Sequence, residues 1–143
     1  MSKQRNGFTL IELVVVILIL GILAGVGAPK LFSTSGKASE SGVKQTLSIV
    51  RDSIELYAAD NGGEFPQPAD SAAFHTMMET YMRGKFPVNP VGNGENTVKV
   101  ITGTTAAEAS PTTGWVYNKD TGEFICNSTD ATPSDSGIGY DDL

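Results

Sequence analysis

Phe8-Thr9-Leu10-Ile11-Glu12-Leu13-Val14-Val15-Val16-Ile17-Leu18-Ile19-Leu20-Gly21-Ile22-Leu23-Ala24-Gly25-Val26-Gly27-Ala28 carries one charged side chain, Glu12, among residues that are otherwise apolar or small. As a helix at ~1.5 Å per residue, these roughly 21 residues span ~31 Å, enough to cross the hydrocarbon core of a bilayer. Most of the later sequence is rich in Gly, Ser, Thr, Asp and Asn. The first segment therefore belongs in lipid and the rest in water.

A basic start followed by an apolar run has three readings: a secretory signal that is removed, a plain membrane anchor, or a segment cleaved before the run. Val26-Gly27-Ala28 offers a small-residue signal cleavage site, but Pro29 would follow the cut and resist hydrolysis, and the apolar region is too long. A plain anchor explains the length but gives no reason for Glu12, since an ionisable group within a membrane helix costs about 2.5 to 3.5 kcal/mol at its centre and is a functional candidate. Lys3 and Arg5 precede the run, where the positive-inside rule holds that end in the cytoplasm and sends the later domain across the inner membrane.

Gly7-Phe8-Thr9-Leu10-Ile11-Glu12-Leu13 resembles the cleavage and methylation motif of type IV pilins and type II secretion pseudopilins. The resemblance implies that prepilin peptidase cuts between Gly7 and Phe8, discards the leader and N-methylates Phe8. Glu12 is then the fifth residue of the mature chain. The physics of that spacing stands beside the resemblance. Cleavage removes Lys3 and Arg5 and creates a cation, the Phe8 amine, at the start of a helix whose first turn holds Glu12, where a carboxylate is favoured by the helix dipole. An incoming Phe8 amine can neutralise Glu12 of a subunit already in a filament, where an unpaired charge in an apolar core is expensive. Gly21 and Pro29 extend the resemblance. Gly lowers helix stability by roughly 1 kcal/mol and Pro by roughly 3 in a helix interior, so Gly21 to Pro29 is the softest part of the helix.

After Pro29, Val43, Leu47, Val50, Ile54 and Tyr57 fall on one helical stripe, expected to pack on a small sheet. Ile49 and Leu56 lie on a different line, covered either by a loop of the same chain or by neighbouring subunits. Asn61-Gly62-Gly63 ends the helix, and the passage through Glu64-Phe65-Pro66 looks like the corresponding turn of G-type pseudopilins. Asp70 or Ser71 caps a short helix over 72–82. Thr97 to Ile101 is β-prone, Gly103 to Thr113 is a small polar loop, and Gly114–Asn118 with Glu123–Asn127 reads as a hairpin. The expected class is α+β: one long N-terminal helix, membrane half plus amphipathic half, on a small antiparallel sheet. The expected segments are a leader (1–7), a transmembrane and polymerisation helix (8–29), its amphipathic continuation (30–61), a small α+β domain (62–127) and an acidic C-terminal tail (128–143).

Net charge is −6 and the basic residues are scattered, so nucleic acid is not an expected direct partner. Cys126 is the only cysteine, which excludes an internal disulfide and fits a buried thiol in a strand. His75 is the only histidine, and no catalytic constellation, phosphate-binding glycine loop or paired-cysteine motif is present. The tail holds Asp130, Asp135, Asp141 and Asp142. It reads as solvated, or as a calcium loop, because hard oxygen ligands suit calcium and G-type pseudopilins carry such a site; the spacing is not that of an EF-hand. No other cofactor is expected.

The resemblance implies a structural subunit of a type II secretion pseudopilus, with prepilin peptidase, copies of itself, other pseudopilins, the inner-membrane assembly platform and lipid as partners. The small domain, the turn after the helix and the absence of a paired cysteine favour that over a type IV pilin of a surface pilus for adhesion, twitching or DNA uptake. A membrane-anchored periplasmic enzyme or binding module is the third reading.

Overall fold

The computed structural model describes residues 7–92, 94–104 and 113–143; the leader residues with Lys3 and Arg5, and most of the loop between Gly103 and Thr113, lie outside the described residues. The chain divides into two units, Met1–Ser35 and Gly36–Leu143. Helix α1, Leu10–Asp60, contributes to both.

In the first unit, Leu10–Gly27 has a mean hydropathy of 2.8 and none of its side chains is buried. Pro29 lacks the N–H that would bond the Gly25 carbonyl, yet the backbone remains helical through Gly21 and Pro29.

In the second unit the α1 stripe is the floor of the core. Val43, Leu47, Val50 and Ile54 are buried and Tyr57 packs on them half-buried. Fully burying side chains of this size contributes about 1.5 to 3 kcal/mol each. Helix α1 ends at the glycine pair, where Gly62 and Gly63 take φ of 71° and 94°. The Gly63 N–H donates to the Ala58 carbonyl at 2.7 Å, which is the long bond of a Schellman end. Asp70 caps α2, Ser71–Glu79, by accepting the Ala73 N–H at 2.9 Å. This helix ends three residues before the expected Met82.

Strands β1 (Val98–Ile101), β2 (Trp115–Asn118) and β3 (Phe124–Cys126) form one sheet in that order. Trp115 stacks on Phe124 at 5.3 Å and Phe74 of α2 lies 4.5 Å from Tyr117, closing the core between helices and sheet. The β2–β3 hairpin is antiparallel as expected, but β1 pairs with β2 in parallel, so the sheet is mixed. Alternation and β-propensity are blind to strand direction, and a connection of about a dozen residues is long enough for a parallel return.

Ile49 and Leu56 are exposed, at 44% and 55%, so of the two coverings open for them, no loop among the described residues supplies the first. One further expectation changes. The segment 128–143 is folded rather than solvated: Thr132 and Tyr140 are buried, Ala131 bridges Gly139, and Tyr140–Asp142 forms a 3-10 turn.

Candidate functional site

The residues of the N-terminal motif occupy the start of α1. Gly7, Phe8 and Thr9 precede the helix, and Phe8 is 83% exposed. An added Cβ at Gly7 would meet nothing within 4 Å, so no contact among the described residues asks for glycine there. The same holds at Gly21, Gly25 and Gly27.

Thr9 and Glu12 hold each other. The Thr9 N–H and Oγ donate to Glu12 Oε2 at 2.8 and 2.7 Å, and the Glu12 N–H donates back to Thr9 Oγ at 3.3 Å. This is a capping box, with Thr9 as N-cap and Glu12 three residues on, satisfying helix donors that otherwise have no partner. Both bonds to the carboxylate land on Oε2 of an exposed side chain, and among the described residues none is made to Oε1. Arranged in this way, the group holds a negative charge at the positive end of a helix dipole. The Thr9-x-x-Glu12 spacing is a local sequence signature of this cap, independent of the charge of Glu12.

The four tail aspartates do not come together as a cage. Asp135 Oδ1 accepts the Gly137 N–H at 2.9 Å, Asp142 Oδ2 accepts the Gly139 N–H at 3.3 Å, and Asp130 Oδ2 accepts the Ser128 hydroxyl at 3.2 Å. Among the described residues no group of three or more His, Cys, Asp or Glu side chains is placed to hold a metal. These residues do not fit a calcium site built from carboxylates.

Cys126 is buried in β3, where loss of water pushes its thiol up to about 11, opposite to the shift a nucleophile needs. His75 stacks on Phe86 at 4.3 Å and its Nε2 lies 2.8 Å from the Asn96 carbonyl, a packing position that ties α2 to the start of β1. Sequence reading missed Glu40 and Arg51, whose partners lie far along the chain.

Residues 2–28 match the family model described as the prokaryotic N-terminal methylation motif. A type II secretion system core protein G of Pseudomonas aeruginosa is 30% identical over 105 residues, covering 64% of this chain and 71% of that protein. A protein of the same name from Klebsiella pneumoniae is 41% identical over 61 residues, 43% of each chain. The prepilin peptidase-dependent protein D of Escherichia coli K12 is 46% identical over 63 residues, 44% of this chain and 42% of that one. The chain thus spans less than half the length of the latter two relatives. No solved structure matches.

Proposed function

The chain belongs to the type II secretion system core protein G family, and from that premise we propose that it is cut between Gly7 and Phe8 and assembled through Phe8 and Glu12 into a secretion pseudopilus. It is a pseudopilin, a structural subunit and not an enzyme; the peptidase acts on it. The observation that carries the reading is the pre-organised first turn, in which Thr9 holds the Glu12 carboxylate through Oε2 at the start of an apolar, exposed helix. Prepilin peptidase frees and N-methylates the Phe8 amine. That amine neutralises Glu12 of a neighbouring copy and sets the axial register, since a lone charge among apolar helices is costly.

Before assembly the helix anchors the chain in the inner membrane in a single pass, with the leader cytoplasmic and the folded unit periplasmic. Gly21 to Pro29 loosens when subunits leave the bilayer, a reading supported by glycines that no contact among the described residues requires. The peptidase, copies of this chain, other pseudopilins and the assembly platform are the partners. Glu12→Leu in the producing cell provides the test. Membrane insertion and leader removal are expected to persist while filaments and protein export are lost; normal filaments would sink the role of Glu12. Intact export with loss of a surface fibre would point instead to a type IV pilus.

A further inference from the structure

Glu40, Lys44, Leu47 and Arg51 are spaced by four, three and four residues and lie along one line of α1, spanning about 16 Å. The two outer side chains reach across to parts of the chain far away in sequence. Glu40 is 4% exposed, and its oxygens accept from Lys44 Nζ at 2.7 Å, from the Ser134 N–H at 3.0 Å and from the Ser134 hydroxyl in a short bond. Arg51 donates from Nε to the Phe124 carbonyl at 3.1 Å and from Nη2 to the Leu143 carbonyl at 2.7 Å. We propose that Glu40 and Arg51 are a two-point latch that fixes segment 128–143 on α1, so that this segment folds without a bound cation.

Three observations support the latch over a metal. First, the segment's own backbone carbonyls take hydrogen bonds from within it, so its turns are closed by the chain itself. Ser128 O accepts the Asp141 N–H at 3.0 Å, Asp130 O accepts the Tyr140 N–H at 3.0 Å, and Ile138 O accepts the Thr132 N–H at 2.8 Å. Asp135 O accepts the Thr132 hydroxyl at 2.8 Å. Second, the Asp135 and Asp142 carboxylates cap turns, and among the described residues no group of three or more carboxylates converges and no buried side-chain nitrogen or oxygen lacks a partner. Third, α1 is shaped for the segment. A Cβ at Gly36 would lie 3.0 Å from Pro133 Cγ, so glycine makes room for the proline directly before Ser134. A buried carboxylate such as Glu40 is tolerated only when its charge is paired and hydrogen-bonded, and Ser134 with Lys44 supplies both.

The full chain in detergent micelles, followed by amide hydrogen exchange, tests this. Glu40→Gln removes the charge and one acceptor, and is expected to lower protection of the Thr132, Tyr140 and Asp141 amides about tenfold while the β2 amides keep theirs. Ser134→Ala is expected to act in the same direction, more weakly, and decides the matter should Glu40→Gln fail to fold. Chelator and millimolar calcium are expected to leave the wild type unchanged, as is the joint replacement of Asp130, Asp135, Asp141 and Asp142 by Asn, whose one amide oxygen can take the acceptor position that Asp130, Asp135 and Asp142 use. Wild-type protection in Ser134→Ala, or a melting temperature that falls with chelator and recovers with calcium, would overturn the latch.

Discussion

The part of α1 in the first unit and the part in the second are made from similar apolar residues used in opposite ways. In Leu10–Gly27 the apolar side chains run all round the helix and every one is exposed, so each requires an outside partner, lipid or another helix. From Val43 to Ile54 the stripe residues Val43, Leu47, Val50 and Ile54 recur at three and four residues and are buried in the core, while Lys44, Asp52 and Glu55, and with them Ile49 and Leu56, are exposed. The two parts teach that hydrophobicity alone does not say where a helix belongs. Its distribution around the axis does.

The sharpest way to break this contrast is to make the same substitution in both parts. Leu47→Ala removes a side chain that is 1% exposed and is expected to cost about 2 to 5 kcal/mol in denaturant melts. Leu18→Ala, at a position 61% exposed, is expected to leave that melt unchanged and to weaken retention in membranes or filaments. Glycine offers a second pair. Gly122 has φ of 76° and an added Cβ would meet the Phe65 ring at 2.6 Å, so Gly122→Ala is expected to destabilise the folded unit by about 2 kcal/mol. Gly21→Ala meets nothing and is expected to stabilise helix by about 1 kcal/mol in micelles, seen as slower amide exchange around residue 21.

Thr9→Ala tests the first turn. It removes the cap and is expected to cost about 1 kcal/mol of local helix, read as faster exchange of the Glu12 and Leu13 amides without a change in the melting of the folded unit. Acid tests the second unit most gently. Lys44 and then Ser134 hold the Glu40 carboxyl below its ordinary 4.5, while Tyr140, packed nearby, is pushed up chiefly by burial and partly by that charge. A lowered folded value contributes stability that is present above 4.5 and lost as the pH falls through the folded value. Protection of the Thr132 and Tyr140 amides is therefore expected to persist to about pH 4.5 and decline below it, and the decline should be smaller in Glu40→Gln.

Helix elements were largely legible because their signals are local. The stripe at Val43, Leu47, Val50 and Ile54, the glycine pair at 62 and 63 and the Asp70 cap each lie within a few residues of what they control. The Thr9–Glu12 capping box is equally local, its two partners three residues apart. Strand positions came from β-propensity, whereas the direction of β1 did not, since its hydrogen-bond partners lie beyond a long loop. The segment 128–143 was misread because its composition is polar and its anchors are Glu40, 94 residues before Ser134, and Arg51, 92 before Leu143.

The sequence by itself determined the lipid-seeking helix, the processing motif and the amphipathic stripe, because length, charge placement and helical period act between near neighbours. The parallel β1, the exposure of Ile49 and Leu56, and the latched segment were decided only by tertiary structure. In each case the deciding contact, or its absence, joins residues that the chain itself keeps far apart, and only packing brings such residues within hydrogen-bond or van der Waals reach.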